Sequence, residues 1–180
     1  MILKHEDQLV DFDLNMLEEL LCIVDAQLCK LDNEIKQCPD PDSFGLFDLC
    51  EGVTGMGFVA CQWYLAATCG CLKLDKHDAL QFGPFHSCGL TIVQIINHAA
   101  NYWKHREEWV LKKREKDAMR TIAALSKLGI DCEGDYVLTC ALVDINALKT
   151  MQFKPLISVL EEWSKKALES LKTDKMKSGI

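Results

Sequence analysis

The sequence predicts an all-α fold, an antiparallel helical bundle of five to six helices, and three observations carry that prediction. Leu14, Leu17, Leu21, Val24, Leu28, Leu31 and Ile35 alternate steps of three and four along the chain, which lines their side chains along one narrow helical seam. From Gly52 to Leu72 there is no charged residue, as expected of a helix buried on most sides of a bundle. No two neighbouring stretches alternate apolar and polar residues as paired strands do.

The seam places a first helix over about 13–36, with Asp13 as its cap and acids in its first turns suiting the helix dipole. "CPDPDS" at 38–43 ends it, because two prolines restrict the residues before them and cannot donate to a helix. The uncharged stretch 52–72 is also long enough to span a membrane. Its four glycines, two threonines and Gln62 dilute the hydrophobicity, and acids stand close on one side, so a central bundle helix is the expectation. Residues 73–89, with Gly-Pro and two histidines, read as a connection holding one helical turn. A further helix is expected over 90–105, and another in "REKDAMRTIAALSKLGI", closed by Gly129 after Lys127. "DYVLTCALVDINAL" fits a short helix or a strand equally well. Pro155 opens the last helix at its favoured first position, with Leu156, Val159, Leu160, Trp163 and Leu171 on its apolar side. Residues 1–172 are expected to form a single domain and 173–180 a flexible basic tail.

The 180 residues suffice for one domain with a real core. The opening "MILKHEDQ" has no apolar stretch and no small-residue cleavage site, which predicts no secretory signal and a cytoplasmic protein. Ten cysteines are then expected as reduced thiols that pack as small hydrophobes, Cys22 and Cys29 beside the first seam among them. "CGC" at 69–71, with Cys61, His86 and Cys88, lacks the paired two-residue spacing of a zinc site. No metal or other cofactor is expected. A Cys88–His98 nucleophile has no family signature around it, and "GVTGMG" lacks the Lys-Ser/Thr that a phosphate loop needs. The net charge of −7 argues against a generally basic coat for nucleic acid. Residues 104–120 nevertheless carry seven Lys or Arg against four acids.

That basic run follows an unusual helix. At a hundred degrees per residue, Gln94, Asn97, His98, Asn101 and His105 fall within about one third of the circumference. A solvent-facing stripe is normally built from Lys, Glu and Arg, which favour helices and suffer no desolvation. Uncharged amides and imidazoles imply a partly buried groove or interface, or else a polar patch whose amides bond to neighbouring helices. Trp103 and Trp109 flank the basic residues and could stack on unpaired bases, although Trp103 projects into the apolar arc.

"ANYWKH" at 100–105 resembles a degenerate copy of the motif of the HEPN superfamily, all-α proteins that include many ribonuclease toxins of prokaryotic defence and toxin–antitoxin systems. Asn101 matches the motif's polar position and His105 its histidine, while Ala100 stands where the family has arginine. The resemblance implies a homodimer and metal-independent RNA cleavage, with His105 as general acid or base and Asn101 positioning it or the phosphate. Losing the arginine implies impaired stabilisation of charge on the phosphate. Lys104, Arg106, Lys112, Lys113 and Arg114 are the candidate RNA-binding cations, and Gln94, Asn97 and His98 the supporting stripe. The alternatives are a non-catalytic helical module that binds a protein partner such as an antitoxin, and a bundle with a closed apolar cavity near Trp63, Tyr64 and His98.

Overall fold

The computed structural model describes residues 2–5, 8–111 and 116–177. The fold is all-α. A short hairpin of β1 (Ile2–His5) and β2 (Gln8–Asp11) leads into α1 (Phe12–Gln37), α2 (Leu46–Leu72), a single turn α3 (Lys76–Ala79), α4 (Ile92–Leu111), α5 (Lys116–Ser126), α6 (Val137–Ile145) and α7 (Lys154–Lys177). Among the described residues this makes six longer helices and one turn. The hairpin, in which Ile2 pairs with Asp11 and His5 with Gln8, is absent from the sequence expectation because four-residue strands are too short to show a period. The ambiguous segment is the helix α6, and α7 continues to Lys177, into the stretch expected to be tail.

Capping explains where the helices start. Asp11, not Asp13, caps α1 by accepting from the Leu14 amide at 3.1 Å. At α4 a reciprocal box forms: Thr91 Oγ1 accepts from the Gln94 amide at 3.2 Å, and Gln94 Oε1 accepts from the Thr91 amide at 2.8 Å. Two later helices are capped by acids from earlier ones. Asp25 of α1 accepts from the amides of Phe153 and Lys154 at 2.7 and 2.9 Å, holding the start of α7. The buried carboxylate of Glu51 in α2 accepts from the amides of Leu138 and Thr139 at 2.7 and 2.9 Å and from the Thr139 hydroxyl. It meets the positive end of α6, whose own cap residue, Tyr136, makes no side-chain cap.

The central element is α2, which packs on α1, α4, α6 and α7. Although α2 is long and apolar enough to cross a membrane, half of that stretch is buried within the fold. Its glycines set how closely its neighbours approach. The Trp103 ring of α4 lies on Gly55 so tightly that a Cβ there would fall 2.3 Å from ring carbon Cδ2. A Cβ at Gly57 would fall 2.4 Å from the Phe153 ring, which meets Phe58 edge-on at 5.2 Å between centroids. The rest of the core, including Leu65, Ile95, Ile96, Ala99, Leu160 and Trp163, is almost fully buried.

All ten cysteines carry free thiols, but only Cys50, Cys61 and Cys69 are buried. Cys22 and Cys29 are exposed, which corrects the expectation that packing accounts for them: the α1 seam is narrow enough to leave them on the outer face. The three residues of the expected apolar cavity do not meet. Trp63 is exposed on the outside of α2, Tyr64 is buried and donates to Asp11 at 2.7 Å, and His98 faces α5.

Substituting Gly55→Ala is expected to destabilise the fold by about 1–3 kcal/mol, as overpacking does, whereas Gly70→Ala, where a Cβ meets nothing within 4 Å, is expected to be neutral or stabilising by a few tenths. Urea denaturation midpoints check both, and equal midpoints for the two variants would contradict the close contact.

Candidate functional site: the groove between α4 and α5

The polar stripe converges as its spacing predicts. Gln94, Asn97, His98, Asn101 and His105 all line one groove of about 1030 Å³ between α4 and α5, with His77 and Leu80 of the α3 region also in its lining. From the facing wall come Asp117, Arg120, Thr121 and Lys127 of α5 and its following turn. The groove exists because α5 is short and meets α4 through small residues: Ala118 and Ala124 are buried and also line the cleft. The loop after α5 is tied back to α4 by the Tyr102 hydroxyl, which donates to the Cys132 carbonyl at 3.1 Å.

Each stripe residue has a definite environment. Gln94 is committed to the capping box, which accounts for its position without a ligand. The amides of Asn97 and Asn101 are held from behind by α2: Gln62 Nε2 lies 2.9 Å from Asn97 Oδ1, 2.8 Å from Asn101 Oδ1 and 3.2 Å from the Asn97 backbone carbonyl, three acceptors among which its two protons are shared. Gln62 is buried, so these contacts are sheltered and correspondingly strong. His98 lies with Nδ1 3.4 Å from Thr121 Oγ1. Burial lowers the His98 pKa below the ordinary imidazole value of 6.5, with Lys127 and Lys76 adding to the effect. His105, at the open end, is partly exposed and stands 3.5 Å from Glu108.

The expected cations divide. Lys104 and Arg106 do not line the groove. Arg106 sits over the Trp103 ring, 5.0 Å from its centroid, and pairs with Glu107 at 3.1 Å. Lys104 is exposed beside Lys76, whose pKa it helps to lower after burial. Lys112, Lys113 and Arg114 lie outside the described residues. Ala100 is fully buried in the core, so the position where the HEPN motif has arginine faces away from the groove. The cations that do line the groove are Arg120, which pairs with Asp117 at 3.4 Å, and Lys127, and they share it with the carboxylates of Asp117 and Glu108. Projection of the α5 segment would have shown Asp117, Arg120, Thr121, Ala124 and Lys127 on one face.

Trp109 lines the groove and meets Tyr102 edge-on at 6.0 Å, while Trp103 is spent on α2. Cys88 is not in the groove; its amide donates to His86 Nδ1 at 3.3 Å. Among the described residues no group of three or more His, Cys, Asp or Glu could hold a metal ion. No family model, curated protein or solved structure matches this chain. The groove's chemistry is mixed: amides, the imidazoles of His77, His98 and His105, two cations (Arg120 and Lys127) and two carboxylates (Glu108 and Asp117) surround an open recess, with His77 the most exposed of the imidazoles.

Because the folded chain holds His98 neutral, the unfolded chain binds the proton first as pH falls. Stability is thus present in full above about 6.5 and lost as pH drops through that value toward the lowered folded pKa. An NMR titration is expected to give His98 a midpoint below 6.5, and the loss of stability in acid is expected to be smaller in His98→Gln. A midpoint at or above 6.5 would contradict the assignment.

Proposed function

We propose that the chain is a HEPN-like protein of prokaryotic defence or toxin–antitoxin type, acting in the cytoplasm, that binds RNA in the α4–α5 groove and has lost most of the family's metal-independent endoribonuclease activity. One observation carries this reading: the amide-and-imidazole stripe lines a single groove whose opposite wall supplies Lys127 and Arg120, the latter paired with Asp117. Phosphate contacts from such cations supply sequence-independent affinity, and Trp109 offers a face for an unpaired base. His105 remains available as an acid or base. What is missing beside it is a fixed cation for the charged phosphate, since Ala100 is buried and Arg106 is turned onto Trp103. Removing one preorganised donor of that kind costs about a hundredfold or more in rate.

A second reading, a module for protein partners, is favoured by a separate surface. Phe12, Met16, Leu20 and Ile23 stand exposed on the first turns of α1, and Leu49, Met56 and Trp63 on α2. Scattered exposed apolar residues are ordinary, but a row of them on one helix marks contact surfaces. A homodimer or a bound antitoxin would cover this face without engaging the groove, so the two readings are compatible.

Binding of a fluorescent unstructured oligoribonucleotide, followed by anisotropy against salt, tests the proposal. Arg120→Ala and Lys127→Ala are each expected to weaken binding and to reduce the salt slope by about one. His105→Ala is expected to leave affinity nearly unchanged, with cleavage at background in both proteins. Affinity and slope unaltered in the Arg120→Ala, Lys127→Ala double variant would overturn the groove as the RNA site.

A further inference from the structure

The N-terminal half of α1 and the middle of α2 turn a second surface to solvent. On α1, Phe12, Met16, Leu20 and Ile23 are exposed at steps of four, four and three, so they form one row about 17 Å long. On α2, Met56 and Trp63 are exposed two turns apart. Two contacts fix how the rows lie. The Tyr64 hydroxyl of α2 donates to Asp11 at the start of α1, and Phe153, whose amide donates to Asp25 of α1, sets its ring against Gly57 of α2. Residues 12–23 therefore run antiparallel beside the stretch of α2 that carries Met56 and Trp63. Asp25, which holds the start of α7, projects about half a turn round from Met16 and Ile23, so the α1 row is on the flank away from α7. Met56 and Trp63 in turn project away from the fully buried Phe58. The two rows share the outer side of one helical hairpin.

The charges around this face are of one sign. Between Gly52 and Leu72 α2 carries none, and α1 carries Asp13, Glu18, Glu19 and Asp25 before its first cation, Lys30. Glu18 and Glu19 are exposed next to Leu20. Resting on the reading of this face as a contact surface, and not on the RNA groove, we propose that it docks an amphipathic helix of another protein, about three to four turns long, with Lys or Arg flanking its apolar side. The occupant is a helix because both walls are helices. Their backbone groups are bonded internally, which leaves only rows of side chains to be read, and apolar anchors at i, i+3, i+4 and i+7 of a third helix fit the furrow between two such rows. The occupant is basic because the rim is acidic. A second copy of this chain does not supply that complement: among the described residues, the exposed large apolar side chains outside α1 and α2 are Phe44, Phe85, Met119 and Leu148, no two of them on one helix. The row it could offer is the same acidic one. An anionic membrane surface is repelled by the same acids.

The probe is a fluorescein-labelled synthetic helix of leucine and lysine with the leucines along one face. A scrambled peptide of the same composition keeps the charge without the face, and a peptide of leucine and glutamate keeps the face without the positive charge. Anisotropy is expected to show the leucine–lysine helix binding about tenfold or more tightly than either control. In the Leu20→Gln, Ile23→Gln double variant its affinity is expected to fall about tenfold. In the Glu18→Gln, Glu19→Gln double variant the fall is expected to be about threefold, with a weaker dependence on salt. All four side chains are exposed, and far-UV circular dichroism melts check that the variants fold. Equal binding of the leucine–lysine helix and its scrambled copy, or an affinity unmoved by the Leu20 and Ile23 changes, overturns the docking of a helix on these rows. Equally tight binding of the leucine–glutamate helix, or an affinity and salt dependence unmoved by the Glu18 and Glu19 changes, overturns the basic partner and leaves the contact surface standing. Sedimentation velocity that finds a dimer split by the Leu20 and Ile23 changes gives the face to a second copy and overturns the proposal in the same way. A monomer that binds none of the peptides overturns the contact surface and this inference with it.

Discussion

The contact on which the groove depends is the grip of one buried amide, Gln62, on two asparagines of the next helix. It requires α2 and α4 to lie close together, and that closeness is a property of glycine. With Gly52 and Gly55 on the α2 surface, the Trp103 ring lies almost on the backbone, and the Gln62 side chain then reaches Asn97 and Asn101 directly. A larger residue at 55 would lift α4 away and stretch every contact of the Gln62 NH2 group at once. The glycines that weaken α2 as an isolated helix thus let the Trp103 and Phe153 rings pack against its backbone.

The remaining helices are positioned by carboxylates working across the bundle. Asp25 and Glu51, on the two longest-range capping contacts, hold the starts of α7 and α6. Both satisfy backbone amides that would otherwise be orphaned at a helix start. Asp11 serves α1 and also accepts from Tyr64, so the hairpin end, α1 and α2 are joined at one side chain. Residues 1–51 carry 13 Asp or Glu against three Lys, and part of that acidity is structural: these three acids are engaged with helix ends. In the groove, Arg120 of α5 and Lys127 of the following turn balance the carboxylates of Glu108 and Asp117, so the recess is less acidic than the overall net charge of −7 implies. Electrostatic attraction of an anion depends on the near field more than on the total.

Much of this was legible from residues alone. The seam from Leu14 to Ile35 and the uncharged run 52–72 mark the first two helices because helical burial repeats every three or four residues. The stripe on α4 is legible for the same reason, and its residues do converge on one recess. What a single helix projection misses is the partner. Gln62 was visible only as a diluent of a hydrophobic stretch, although a lone buried Gln has to be bonded to something. Gln94 looked like part of the stripe, but Thr91 three residues earlier forms the other half of a capping box, and that pairing was readable. Nearness in sequence to His105 points to Lys104, Arg106 and the run 112–114. Helical geometry sends Arg106 to Trp103, while Arg120 and Lys127, farther along the chain, face the groove from the opposite wall.

The side-chain NH2 signals of Asn97, Asn101 and Gln62 in an ¹⁵N NMR titration with an unstructured oligoribonucleotide probe the RNA site most directly. The asparagine signals are expected to shift as RNA enters, while Gln62 Nε2, already paired, stays protected and nearly still. Static asparagine signals, with the shifts falling instead on the α1 face around Met16 and Ile23, would contradict it.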